Sequence, residues 1–203
     1  MFMVLIFLLL MVASVVVVGV WGVSLYNRLV FLRNHVKNAW AQIDVVLIRR
    51  YDLIPNLVEV AKTYMAHEKD TLEAVIQARN QAKQAEQSFK QSVDVMDAQA
   101  GQKFSQFQGA EMMLQQSLGR LMAVVEDYPE LKANGLMQNL QQELTDTENR
   151  IAQMRQFYNQ AVQDYETYRQ SMPQALIANA MGFHGLDFLK AEPAQQVAPK
   201  IKF

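Results

Sequence analysis

The chain has 203 residues, 51% hydrophobic and 19% charged, with 19 basic against 20 acidic side chains and a formal net charge of −1. Such a balance creates no global field to recruit nucleic acid, so a nucleic-acid partner is not expected. The absence of cysteine excludes disulfides, zinc–thiolate sites and cysteine nucleophiles.

The first element is apolar on every face. From Met1 to Asn27, MFMVLIFLLLMVASVVVVGVWGVSLYN, no side chain is charged. About 20 apolar residues cross a bilayer core, so residues 1–27 are expected to form a retained transmembrane anchor in contact with lipid. The alternative is a cleavable signal peptide, which normally carries a basic region ahead of a shorter apolar run. Trp21 and Tyr26 fall at the second interface, where amphipathic aromatics concentrate, and Arg28, Arg33 and Lys37 follow at once. The positive-inside rule then places the N-terminus outside and the remainder in the cytoplasm, as a single-pass protein of the inner membrane. Gly19, Gly22 and Ser14 offer anchors a close approach, though the spacing is not GxxxG.

After the anchor, apolar residues recur in steps of three and four. Leu29, Leu32, Val36, Ala39, Ile43 and Leu47 make a first stripe, and Leu57, Ala61, Met65, Leu72, Val75 and Ala82 a second. Phe104, Phe107, Leu114, Leu118, Leu121 and Val125 make a third. Leu140, Leu144, Thr147, Ile151, Met154, Tyr158, Ala161 and Tyr165 make a fourth. The expected fold is all-α: a transmembrane helix followed by an antiparallel up-down four-helix bundle over 28–172, then a short apolar segment and tail over 173–203.

The stretch RRYDLIPNLVEV (49–60) separates the first two stripes. Asp52 suits an N-cap, Pro55 would fall in the first helical turn, and Arg49 and Arg50 would close the preceding helix. A corner between two helices is therefore expected there, with a proline kink in one continuous helix as the alternative. The corner has a geometric consequence. A first helix of about 25 residues past the membrane is roughly 37 Å long, against roughly 55 Å for the second. Standing upright, the second would drive QARNQAKQAEQSFKQS into lipid, where a stretch so polar cannot go. The bundle must then lean, hinge near Tyr26–Asn27, or break near AHEKD (66–70). EDYPELKANG (126–135) reads as a loop, and KQSVDVMDAQAGQ (90–102) as a turn. In the tail, Pro173 ends the fourth helix. The apolar run 175–183 either caps the base of the core or lies in the membrane interface, and the last ten residues read as a mobile tail.

Signatures of catalysis are missing: there is no Gly-rich phosphate loop, no GxSxG and no HExxH. The three histidines, His35, His67 and His184, lack metal-ligand spacing, so no cofactor and no enzymatic activity are expected. Glu68, Leu72, Val75 and Arg79 share one stripe, which turns two charges toward the core. The assumed turns oppose Glu68 to His35, and Glu111 to Asn149–Arg150. These charges are read as a structural polar layer that fixes helix register, with a ligand or proton-linked site as the alternative. Arg49, Arg50, Asp52 and Trp40 take corner and packing roles, or form a binding surface at the membrane-distal corner. Phe157, Tyr158, Tyr165 and Tyr168 are at core spacing, and the methionines outside the anchor are read as core filling.

Two blocks carry a resemblance. Residues 26–80, YNRLVFLRNHVKNAWAQIDVVLIRRYDLIPNLVEVAKTYMAHEKDTLEAVIQARN, resemble the signature block of the LemA family. Residues 128–162 resemble its second block, and APKIKF its usual ending. The anchor and residues 81–127 match in character only. The resemblance implies a bacterial single-anchor membrane protein with a helical-bundle domain, and supplies no catalytic residues to carry over. Magnetosome proteins of this type are tied to building an internal membrane, and neighbouring genes in many bacteria encode membrane metallopeptidases. The expected function is a non-enzymatic scaffold, a homo-oligomer or an organiser of partners at the inner membrane. The alternative is an adaptor of a membrane metallopeptidase in envelope quality control.

Overall fold

The computed structural model describes residues 1–95 and 99–189, apart from the side chains of Asp94 and Val95. Regular structure among these residues is entirely helical: α1 Phe2–Tyr64, α2 Lys69–Val95, α3 Ala100–Val125, α4 Pro129–Lys132, α5 Gly135–Gln170 and α6 Gln174–Ala180. At about 1.5 Å per residue, the 63 residues of α1 make a rod of roughly 95 Å. Its first part is long and apolar enough to cross a membrane and is exposed throughout.

The expected corner at Asp52 does not form, and Pro55 lies inside α1. The reason is phase. Leu47, Tyr51, Ile54, Leu57, Ala61 and Met65 are all buried, in steps of three and four that run through the proline unbroken. A corner would rotate half of this stripe away from the core. Each buried large apolar side chain is worth about 1.5–3 kcal/mol, which together outweigh the roughly 3 kcal/mol that an interior proline costs.

The break lies instead at residues 65–68, within and just before AHEKD. There the Glu68 N–H donates to the Met65 carbonyl at 3.0 Å. This placement removes the length conflict. Past the span α1 runs to Tyr64, roughly 55 Å, whereas the 27 residues of α2 cover roughly 40 Å. The α2–α3 hairpin thus ends short of the apolar span. No hinge interrupts α1 at Tyr26–Asn27.

α1 packs along α5 and α2, and α2 along α3. The direction of α5 follows from its partners on α1: Asn134 Nδ2 donates to the Tyr64 hydroxyl at 3.0 Å, and Tyr158 meets Trp40 with ring centroids 5.8 Å apart. α5 therefore runs from the tip of α1 back toward the span. Asn134 also caps α5, accepting from the N–H groups of Leu136 and Met137. The expected loop at 126–135 thus contains a helical turn, α4, and a cap. Trp40 sits edge-on to Phe89, Phe107 and Tyr158 at 4.6, 5.4 and 5.8 Å, so one aromatic ring from each long helix meets at one level.

The hairpin continues below that level, α2 to Val95 and α3 from Ala100, and nearer the span the segment after α5 takes its place. Ala178 and Phe183 are buried, capping the base of the core. The chain then climbs along α5: the Tyr165 hydroxyl donates to the His184 carbonyl at 2.8 Å, and the Leu186 N–H donates to Glu166 Oε1 at 2.7 Å. The Asn159 amide both accepts from and donates to the Leu189 backbone, each at 2.8 Å. The expected mobile tail lies outside the described residues. Tyr158 and Tyr165 are core residues as expected, but Phe157 is exposed. So are Met112, Met113, Met172 and Met181; core filling accounts for Met65 and Met137, not for these four.

Candidate functional site, a buried polar lock at Arg50

Arg50 and Tyr51 are consecutive on α1, about 100° apart around the helix axis, and both are buried. Both reach one acceptor, Glu111 of α3. The Arg50 guanidinium pairs with Glu111 Oε2, and the Tyr51 hydroxyl donates to Glu111 Oε1 at 2.7 Å. Glu148 of α5 pairs with the other arm of Arg50 at 3.2 Å, and Arg155 lies 3.7 Å from Glu111. The lock therefore crosses the core from α1 to α3 and closes on α5. Burial works against the Arg50 charge, but the Glu111 and Glu148 carboxylates outweigh it and raise its pKa above the ordinary arginine range. Burial, then the charge of Glu111, raises the Tyr51 phenol. Both groups are held in their protonated forms and act as donors.

Pro55 contributes to this site through what it lacks. In a continuous helix the N–H of residue 55 would serve the carbonyl of Tyr51, and proline has none. Arg79 of α2 fills the gap: its Nε donates to the Tyr51 carbonyl at 2.9 Å, while its guanidinium lies 3.8 Å from Asp52. The run RRYDLIP is thus one device. Arg50 and Tyr51 bind α3, Arg50 binds α5, and Asp52 and the proline gap receive α2.

A second polar group lies toward the span. Lys90 Nζ pairs with Asp44 Oδ2 at 2.6 Å, and Glu86, also on α2, is buried beside Asp44. Burial first, and hydrogen bonding to and the charge of Asp44 next, push Glu86 up to about 8. Near the base, Glu166 accepts from Arg169, Gln170 and the Leu186 N–H.

The residues singled out from sequence divide clearly. Arg50, Asp52, Arg79 and Glu111 come together at the lock. Arg49 is half-exposed and meets Glu143 at 3.5 Å on the surface. Glu68 belongs to the turn after α1 and is not opposed to His35, which lies about seven helical turns, roughly 40 Å, down the rod. Trp21, Tyr26 and Arg28 lie on exposed α1 surface, with the Arg28 guanidinium 5.1 Å from the Phe31 ring. Sequence reading placed Glu111 against Asn149–Arg150, one residue from Glu148. It missed Tyr51, Asp44, Glu86 and Arg155. Asp44 beside Ile43, and Glu86 between Ala82 and Phe89, are acids inside apolar stripes, a signal that was available. No cluster of histidine and acidic side chains fit to hold a metal occurs among the described residues.

Comparison with known proteins finds relatives among magnetosome proteins. The magnetosome protein MamQ of Magnetospirillum gryphiswaldense is 26% identical over 182 residues, covering 83% of this chain and 66% of that protein, just under two thirds. Two magnetosome proteins of Paramagnetospirillum magneticum, MamQ 1 and MamQ 2, are each 28% identical over 201 residues, 91% of this chain and 73% of theirs. The LemA family model matches residues 39–203, a range that holds the lock, the Asp44–Glu86 pair and the segment after α5. The chain belongs to the LemA family.

Proposed function

We propose that this protein is a non-enzymatic, membrane-anchored helical scaffold that self-associates at the bacterial inner membrane. The observation carrying this reading is the continuity of α1, one unbroken helix from an exposed apolar span to the far tip of the core. A scaffold needs such a strut, because load or position at the tip is then transmitted to the membrane without a joint. In this reading residues 2–27 cross the bilayer, and Arg28, Arg33 and Lys37 hold the body on the cytoplasmic side. α1, α2, α3 and α5 act as an antiparallel up-down four-helix bundle. The polar groups of the core support the same role, since Arg50, Tyr51 and Glu111 are spent on one another. The likeness to magnetosome proteins fits an organising role. Val45 and Ile48 on α1 and Phe157 on α5 are exposed apolar side chains beside a shallow groove containing Val46 and Met154, a surface suited to a second copy.

The test is the mass of the full-length protein in mild detergent and in nanodiscs, with crosslinking in membranes as control. A discrete assembly that Val45→Glu with Phe157→Glu reduces to monomer is the expected result. A monodisperse monomer for the unaltered protein would overturn self-association. Partner capture, with a membrane metallopeptidase at fixed stoichiometry as the outcome sought, would then test the adaptor role.

A further inference from the structure

The segment that caps the core has a second, outward side. α5 has 36 residues, roughly 54 Å, and starts level with Tyr64. It therefore ends about level with Arg28, at the foot of the apolar span. The chain turns there through 171–183 and climbs again, so this turn is the part of the body nearest the span. Phe183 confirms the level, meeting the Tyr26 ring at 5.6 Å and the Arg33 guanidinium at 5.3 Å. Within the turn, Ala178 and Phe183 face the core, whereas Met172, Leu176 and Met181 are 70, 63 and 63% exposed. No residue from Ser171 to Phe183 is charged, while cations flank the turn on α1 (Arg28, Arg33), and Arg169 on α5 is paired with Glu166 at 2.7 Å.

We propose that this turn is a second lipid-contacting element, with Met172, Leu176 and Met181 seated in the interfacial layer of the bilayer beside the span. The proposal rests on the reading that residues 2–27 cross a membrane. An uncharged apolar surface with the Arg28 and Arg33 cations of α1 beside it matches an interface of acyl chains below anionic headgroups. Continuity with the span argues for lipid over a protein occupant, because a bilayer surrounding residues 2–27 already lies at the height of this turn. The body is then held at two points, which fixes its rotation about α1 as well as its depth.

The chain has no cysteine, so single-cysteine variants of the full-length protein take one fluorescent probe each. Leu176→Cys and Met181→Cys report the turn, Val12→Cys the span, and Glu130→Cys the membrane-distal end. The labelled proteins are reconstituted in phosphatidylethanolamine–phosphatidylglycerol vesicles, with or without lipid brominated along the acyl chain. Blue-shifted emission at 176 and 181, quenched by bromine near the headgroup, is expected, with 12 quenched by deep bromine and 130 unquenched. Quenching at 12 with 176 and 181 as unquenched as 130 would overturn the second lipid contact and leave the anchor intact. No quenching at 12 would remove the anchor, and this proposal with it.

Discussion

Arg79 Nε donates to the Tyr51 carbonyl at 2.9 Å, and that carbonyl is the one that Pro55 leaves without its helical donor. A side chain from α2 thus replaces a backbone bond missing in α1. The substitution ties helix continuity to helix packing, since the orphaned carbonyl is satisfied only when the second helix is docked in register.

This coupling is measurable. Arg79→Met should destabilise the fold by about 1–3 kcal/mol, the cost of leaving a buried acceptor unserved. With Pro55→Ala in place the residue-55 N–H serves the carbonyl, and the same change should cost clearly less. Denaturant unfolding of the four members of the cycle gives the interaction term, expected at about 0.5–3 kcal/mol for groups in contact. Strict additivity would show that Arg79 does not answer the proline.

Removing Glu111 should be among the most damaging single changes. Arg50 is buried and charged, with Glu111 as its closest counter-charge, and breaking a buried pair from one side typically costs about 3–5 kcal/mol. Glu111→Gln keeps an acceptor for the Tyr51 hydroxyl but leaves Arg50 undercompensated, so the loss reads the charge. Arg50→Met added to Glu111→Gln should recover much of the stability. If the double variant is as unstable as the sum of the two single ones, the lock is not a pair.

Stability should fall as pH rises through the range set by Glu86. Its carboxyl titrates near 4.5 ordinarily and near 8 in the fold, raised by burial and then by Asp44. The folded state therefore holds the proton more tightly. The contribution is fully present below about 4.5, is lost progressively up to about 8, and is flat above that. Lys90 opposes the shift and Glu111 adds to it. Glu86→Gln keeps the neutral form, so it should flatten this part of the profile and be the more stable protein at pH 9. Melting temperatures of both proteins from pH 4 to 9 decide it. Parallel profiles would mean that Glu86 is ionised in the fold at neutral pH.

Much of the architecture is legible in one dimension because it follows from periodicity. The apolar start needs only composition, and the four stripes need only the spacing of three and four that Leu29 to Leu47 and Leu140 to Tyr165 display. Both are local properties of a chain that coils at 3.6 residues per turn. The fate of RRYDLIP is not local. Asp52, Pro55 and the paired arginines carry every mark of a helix boundary, and an isolated peptide would be judged by those marks. Phase across the proline, with Tyr51, Ile54 and Leu57 all buried, decides otherwise, and Arg79 from 28 residues away supplies what the backbone lacks.

The polar interior divides in the same way. That Arg50, Arg79 and Glu111 stand out is a property of the sequence, since they interrupt or join apolar stripes. Which carboxylate meets which guanidinium depends on where α1 turns. Moving that turn from residue 52 to residues 65–68 shifts the register of α2 against α1 by about seven helical turns, separating Glu68 from His35 and setting Glu86 beside Asp44. The dual face of the last segment is likewise a tertiary outcome. Sequence makes residues 175–183 apolar, but only the short α2–α3 hairpin opens the gap that Ala178 and Phe183 fill, leaving Leu176 and Met181 outside.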